Sequence, residues 1–310
     1  MPDQEYDVII IGGGPAGLSA GIYTARARLK SVLIEKMATG GAIVNAGEVE
    51  NYPGFPKGIG GLELTQQMDE QAKKFGLESI IAEVTELEIK EDKKIIKTSG
   101  GDLTAKAVIV ASGSERAKLG VPGEDKYMGK GVGYCAVCDG FLYRDKVVAV
   151  VGGGNAAINE ALELAKFASK VIVIHRRNEL RATKIVQERA FATPNMEFMW
   201  NTVIEAIEGD DLVRRLRVCN VATDEKSAVD VSGVFVATGS KPNTEFLKGI
   251  VPLDETGTVI VNEKMETAVP GILAAGDVRV NSIRQVVSAA GDGAVAAIYA
   301  EKYIHEKFKH

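Results

Sequence analysis

The chain has 310 residues, 45% of them hydrophobic and 25% charged, which is enough for two domains with a core each. Its net charge of −5, without a basic stripe, argues against nucleic acid as a partner, and no apolar run approaches a membrane span. Three cysteines do not make a secreted disulfide framework, and the opening MPDQEYDVIIIGGG has no basic stretch followed by an apolar leader, so the expected location is cytoplasmic.

From Asp7, the stretch DVIIIGGGPAGLSAGIYTARARLKSVLIEK reads as an apolar strand, a glycine turn, a helix of small and aliphatic residues, and a second strand ending at Glu35. That is a βαβ unit carrying Gly12, Gly14 and Gly17 in the spacing that cradles a pyrophosphate. A further apolar strand, VIVASGS, follows at 108–114, and CAVCDG places Cys135, Cys138 and Asp139 in six residues. From Lys146, KVVAVVGGGNAAINEALELAKFASKVIVIHRR repeats the first unit without a gap at an offset of 140, with Gly152, Gly154 and Ala157 in the glycine positions. VFVATGS at 234–240 repeats the returning strand, and the chain closes with a strand, an AGD turn and a long alanine-rich helix. Two fingerprints, each after a strand and opening a helix, argue against the plainer reading of two ligand-free glycine turns.

The residue that ends each second strand distinguishes the ligands. Glu35, 21 residues after Gly14, is a carboxylate for ribose hydroxyls, so the first copy suits FAD or NAD. The same place in the second copy is His175, followed by Arg176 and Arg177, with Arg181 one turn on. Guanidinium groups clamp a 2′-phosphate, so this copy suits NADPH; the alternative for HRRNELR is a solvated, charged helix start. The expected fold is α/β, with two Rossmann-like, three-layer ββα dinucleotide-binding domains. The first is discontinuous (1–115 with 244–310); the second (116–243) is inserted into it, with two covalent crossings as a double hinge.

CAVCDG admits three readings. A zinc site needs two more ligands, and Cys219, His175, His305 and His310 are poorly disposed to supply them. An inert disulfide over so short a loop constrains the unfolded chain little. Two thiols this close suit exchange, one attacking a substrate disulfide and the other resolving the mixed disulfide. Asp139 is the candidate acid and base for the departing thiolate, with a turn-forming Asp-Gly pair as the plainer alternative. Cys219, within RRLRVCNV, reads as a buried small hydrophobe.

GGGPAG, EVENYPGF (48–55), CAVCDG, GGGNAA, HRRNELRA, ATGSKPNT and AAGDVRVNSIRQV together resemble the low-molecular-weight thioredoxin reductases of bacteria, which are FAD-containing pyridine nucleotide–disulfide oxidoreductases. The resemblance covers essentially the whole chain. It implies that Gly12, Gly14, Gly17 and Glu35 hold the FAD pyrophosphate and ribose, that Asn51 lies near the flavin, and that Asp277, Arg284, Gln285 and Val286 line the flavin and its chain. It implies that Gly152, Gly154 and Ala157 line the NADPH pyrophosphate site, with His175, Arg176, Arg177 and Arg181 around the 2′-phosphate. It further implies a homodimer, Cys138 as the thiol nearest the flavin, and Cys135 as the thiol that attacks thioredoxin or a thioredoxin-like dithiol protein. Nicotinamide and disulfide both belong to the inserted domain and cannot share one flavin face, so the domain is expected to rotate about the double hinge between half-reactions. The chain departs from the family at Ala42, where a glutamine is usual, and at Asn155 and Ala156, where GGGDSA is commoner. Those departures leave open a ferredoxin-linked reductase or a dithiol oxidase on the same scaffold, against which Arg176, Arg177 and Arg181 count. From another class, a nucleotide-binding redox sensor or scaffold without turnover is the further alternative, against which the intact CxxCD counts.

Overall fold

The computed structural model describes residues 4–46 and 48–308. It resolves two compact units, one formed by residues 1–115 and 241–310 and the other by 116–240. The return to the first unit thus falls three residues before the boundary read from the sequence.

In the first unit, β1 (Gln4–Ile11) leads through the glycine turn into α1 (Pro15–Arg26), and β2 (Ser31–Glu35) returns parallel to β1. After α2 (Gly61–Lys74), β3 (Glu78–Ile81) adds a parallel strand outside β2. An antiparallel meander of β4 (Val84–Lys90), β5 (Lys93–Thr98) and β6 (Gly101–Val110) follows, and β6 also runs parallel to β1. β7 (Ser114–Arg116) carries the chain out.

The second unit opens with a short strand, β8 (Val132–Gly133), and the one-turn helix α3 (Ala136–Asp139). The repeated βαβ follows as β9 (Val147–Val151), α4 (Asn155–Leu164) and β10 (Lys170–Ile174), then α5 (Lys184–Phe191) and β11 (Met196–Met199). β12 (Thr202–Gly209), β13 (Val213–Asn220) and β14 (Lys226–Asp230) form an antiparallel meander, and β15 (Gly233–Val236) returns to pair with β9. The parallel sheet has the order β11-β10-β9-β15-β8. β16 (Ser240–Pro242) pairs with β7, so the two crossings run side by side. Back in the first unit, β17 (Ile272–Ala274) joins β6, and α6 (Val286–Phe308) completes the chain.

The central strands end in unbroken apolar runs, Val8–Ile11, Ala107–Val110, Val147–Val151 and Val171–Ile174, because both faces of each sheet are covered there. Their residues sort by parity into two cores per unit, as the period-two geometry of a strand requires. Val148, Val150, Val171, Val173 and Phe235 pack with α4 and α5, whereas Ala149, Val151, Ile172, Ile174, Val234 and Val236 pack with the meander residues Ile204, Ile207, Leu216 and Val218. The first unit repeats the division, with Val8, Ile10 and Ile109 on the side of α1 and α6, and Ile9, Ile11 and Val108 on the other. The result is a Rossmann-like, three-layer arrangement in each unit. Among the described residues no helix is long and apolar enough to cross a membrane.

Buried charged groups interrupt this apolar order, Lys94 among them. Lys94 on β5 is 2% exposed, and its Nζ donates to the carbonyls of Asp92 (3.3 Å) and Lys106 (2.9 Å) and to the Tyr303 hydroxyl (3.1 Å). Burial pulls its pKa down to about 8 from 10.5. The folded state therefore binds the Lys94 proton more weakly than the unfolded chain does, and stability rises as pH climbs from 8 towards 10.5. Urea unfolding at pH 8, 9 and 10 is expected to show a gain of about 2 kcal/mol, absent in Lys94→Met. An equal gain in that variant would assign the trend to another group.

Candidate active site

Cys135 and Cys138 are bonded to each other, with their Cα atoms 5.3 Å apart. Cys135 is the extended N-cap of α3 and its carbonyl accepts from the amides of Cys138 and Asp139, both at 3.2 Å, so a single helical turn holds both sulfurs and the carboxylate. A side chain at Gly140 would meet Leu164 of α4 at 3.3 Å, which seats the turn against that helix. Beside it, Tyr143 is pushed up to about 12 by burial and then by the Asp139 carboxylate. Its ring meets Phe235 edge-on at 5.3 Å, so the hydroxyl stays protonated near Asp139 over the whole physiological range.

In the first unit, Gly12 turns with φ +106, and a Cβ there would lie 2.3 Å from the Ala111 carbonyl oxygen. Gly14 is the N-cap of α1 with no side-chain cap, and a Cβ at Gly14 would meet only the Gly41 Cα, at 3.8 Å. The first amides of α1 thus face open space with the positive end of the helix dipole behind them, which fits a pyrophosphate. Glu35 accepts from the amides of Gly13 (2.7 Å) and Lys36 (2.7 Å), which fixes its carboxylate beside the turn with lone pairs left for ribose hydroxyls. Asn51 donates to Gln285 at 3.1 Å, bringing together two residues 234 apart in the chain. Asp277 accepts from Ser282 Oγ at 2.9 Å, and that same hydroxyl accepts from the Arg284 amide at 3.2 Å. Val286 is the first residue of α6.

The second unit repeats the turn with Gly152 at φ +147, and Gly154 caps α4 with nothing within 4 Å of the place a Cβ would take. Ala157 is fully buried over Gly152. Arg176, Arg177 and Arg181 are exposed, but His175 is not: it is 4% exposed, and a Cβ at Gly153 would fall 2.4 Å from its ring. Burial first, then the cations of Arg181, Arg177 and Arg176, hold its pKa below the usual value, and its Nε2 meets no partner. Three guanidinium groups about an open glycine turn suit a phosphorylated ligand. Cys219 is buried on β13, and among the described residues no three His, Cys, Asp or Glu side chains are grouped to hold a metal; His310 lies outside those residues.

The sequence profile of the pyridine nucleotide-disulphide oxidoreductases matches residues 6–293. The chain belongs to that family. It is 45% identical to the thioredoxin reductase of Peptoclostridium acidaminophilum over 99% of both chains, and 44% identical to that of Bacillus subtilis (strain 168) over 98% of this chain and 96% of the other. The crystal structure of thioredoxin reductase from Streptococcus pyogenes MGAS5005 superposes with a TM-score of 0.94 at 43% identity, covering 98% of this chain and 99% of that one.

Within this oxidoreductase scaffold, sequence reasoning passed over two residues that hold the site residues in place. Asp292 of α6 is buried and takes a bidentate pair from Arg279 (2.7 and 2.8 Å) together with the Gly276 amide (3.1 Å), so it anchors the turn that carries Asp277. A lone carboxylate in the run SAAGDGAVAA was the available signal, since an acid amid small residues on a buried helix needs a partner. Glu124 is buried too, accepting from the amides of Leu119 (2.9 Å) and Gly120 (2.8 Å) and from the Tyr134 hydroxyl (2.9 Å), which ties the residue before Cys135 to the segment leaving β7.

Proposed function

We propose that this protein is an NADPH-dependent disulfide reductase acting on thioredoxin or a thioredoxin-like dithiol protein. The observation that carries the reading is the Cys135–Cys138 disulfide on a one-turn helix, in the same compact unit as an open glycine turn whose Gly153 carbonyl accepts from the amide of Arg181, with Arg176 and Arg177 exposed at the end of β10. Gly12, Gly14, Gly17 and Glu35, with Asn51, Asp277, Arg284, Gln285 and Val286, are the residues that would hold FAD. Gly152, Gly154, Ala157, His175 and the three arginines would hold NADPH. FAD, when bound, supplies a two-electron relay between NADPH and the disulfide.

The chain's own groups then perform the exchange. As a thiolate, Cys135 attacks one sulfur of the substrate disulfide and forms a mixed disulfide, releasing the other substrate sulfur as a thiolate. Cys138 attacks Cys135 Sγ, which restores the Cys135–Cys138 bond and frees the second substrate thiolate. Asp139, next to Cys138 on the same turn, would hold and pass the proton of the Cys138 thiol. The paired strands β7 and β16 are the hinge about which the inserted unit rotates between half-reactions, and the working form is a homodimer in the cytoplasm.

Anaerobic titration of the purified flavoprotein with NADPH and then NADH, followed near 450 nm, tests the reading. The expected result is full bleaching by about two equivalents of NADPH, one to open the Cys135–Cys138 disulfide and one to reduce the flavin, and poor bleaching by NADH at the same concentration. A flavin that dithiols bleach but neither nucleotide does would overturn the NADPH assignment in favour of another electron partner.

A further inference from the structure

The Arg181 segment is stitched to the second glycine turn at three points. The amides of Arg181 (2.7 Å) and Ala182 (3.1 Å) both donate to the Gly153 carbonyl, and the Thr183 amide donates to Asn155 Oδ1 at 2.8 Å. The first two are backbone bonds that any side chains would permit. The third depends on the side chain of Asn155, the first residue of α4. Thr183 is the N-cap of α5, and its own hydroxyl makes no capping bond. The start of α5 is therefore held by Asn155 across the turn, two residues beyond Arg181.

We propose that Asn155 is a positioning residue that sets dinucleotide specificity: by gripping the Thr183 amide it fixes the Arg181 guanidinium at the distance from the glycine turn that a 2′-phosphate requires. The inference rests on the reading of this unit as the NADPH site, and adds the residue through which its preference for the phosphorylated nucleotide is enforced. A guanidinium on a long side chain discriminates only as well as its backbone is anchored, because each freely moving link weakens the paired donors it presents. With the acceptor gone, the Thr183 amide turns to water, the first turn of α5 frays, and Arg181 loses its fixed origin on one side. Ligands lacking the 2′-phosphate do not use Arg181 and are expected not to register the change.

Calorimetric binding of 2′,5′-ADP and 5′-AMP to the flavin-loaded protein isolates the effect without turnover. The two ligands differ only in the 2′-phosphate, so the ratio of their affinities measures how well that group is held. Asn155→Leu keeps the size and removes the acceptor, Asn155→Ala removes both, and Asn155→Asp keeps the acceptor; the site is exposed, so all three fold. The expected result is a fall in the affinity ratio of about three- to tenfold in the Leu and Ala variants and an unchanged ratio in Asn155→Asp. An unchanged ratio in the Leu variant overturns the proposal, as does an Asp variant that falls as far as Leu. A wild-type protein that binds both ligands equally would remove the NADPH reading itself, and that result is distinct from either.

Discussion

With serine in place of Cys138, NADPH-driven reduction of thioredoxin is expected to fall about 10⁴-fold or more, while NADPH still bleaches the flavin. The sulfurs are bonded across Cα atoms only 5.3 Å apart on a single turn. A serine at either end cannot form that bond, and its hydroxyl is neither nucleophile nor leaving group in thiol exchange. Cys135 alone still attacks a substrate disulfide, but the mixed disulfide then has no resolving thiol. Incubation of Cys138→Ser with thioredoxin should accordingly accumulate a covalent complex that reductant releases, visible on a non-reducing gel. Retention of a tenth of the wild-type rate would remove the pair from the catalytic cycle. Loss of nucleotide-driven bleaching in the same variant would show instead that the substitution damaged the flavin site.

Gly17→Ala is expected to destabilise the protein by about 3 kcal/mol and to strip its flavin, whereas the matching change in the other direction, Ala157→Gly, costs about 1 kcal/mol. The two positions correspond in the repeat, yet their surroundings differ. A Cβ at Gly17 would fall 1.9 Å from the Gly12 carbonyl oxygen, a backbone atom in the turn itself. Retreat of α1 is blocked on its other side, where α6 approaches so closely that a Cβ at Gly293 would lie 2.0 Å from the Ala16 carbonyl. In the second copy the Ala157 methyl occupies the room left by Gly152, so the wider turn already accommodates it. Thermal unfolding and the ratio of absorbance at 280 to 450 nm would read both effects. A Gly17→Ala protein with wild-type stability and flavin content would mean that α1 is free to slide, contrary to the packing.

Much of this fold is legible in the amino-acid sequence because its central elements announce themselves locally. VIII (8–11) and VVAVV (147–151) are apolar at every position, as strands buried on both faces must be, and the glycine spacing marks where each strand hands over to a helix. Glu35 and His175 are legible by count from the glycines, but their environments are not. The Glu35 carboxylate is turned onto the Gly13 amide, and the His175 ring is buried against Gly153, leaving the arginines to face outward. Asn155 carries the same lesson. Its place in GGGNAA assigns it to the nucleotide turn, while its bond to Thr183, 28 residues away, depends on where α5 begins, and no spacing rule reaches that far. Asp292 and Glu124 were passed over for the same reason, since each serves backbone amides that sequence patterns do not mark.

The split of the first unit between 1–115 and 241–310 has a consequence for the order in which the chain matures on the ribosome. Residues 116–240 are contiguous and can close their sheet as soon as β15 emerges. The first unit waits: β17 must still pair with β6, and α6 must cover α1, before its core is complete. At about 5–20 residues per second that delay lasts roughly ten seconds, during which the apolar face of α1 has no cover. Asp292, in α6, anchors the turn that carries Asp277, so that turn is fixed only once α6 has emerged. Completion of the first unit thus becomes a checkpoint on α6, and products truncated before it are left with that core open to proteolysis.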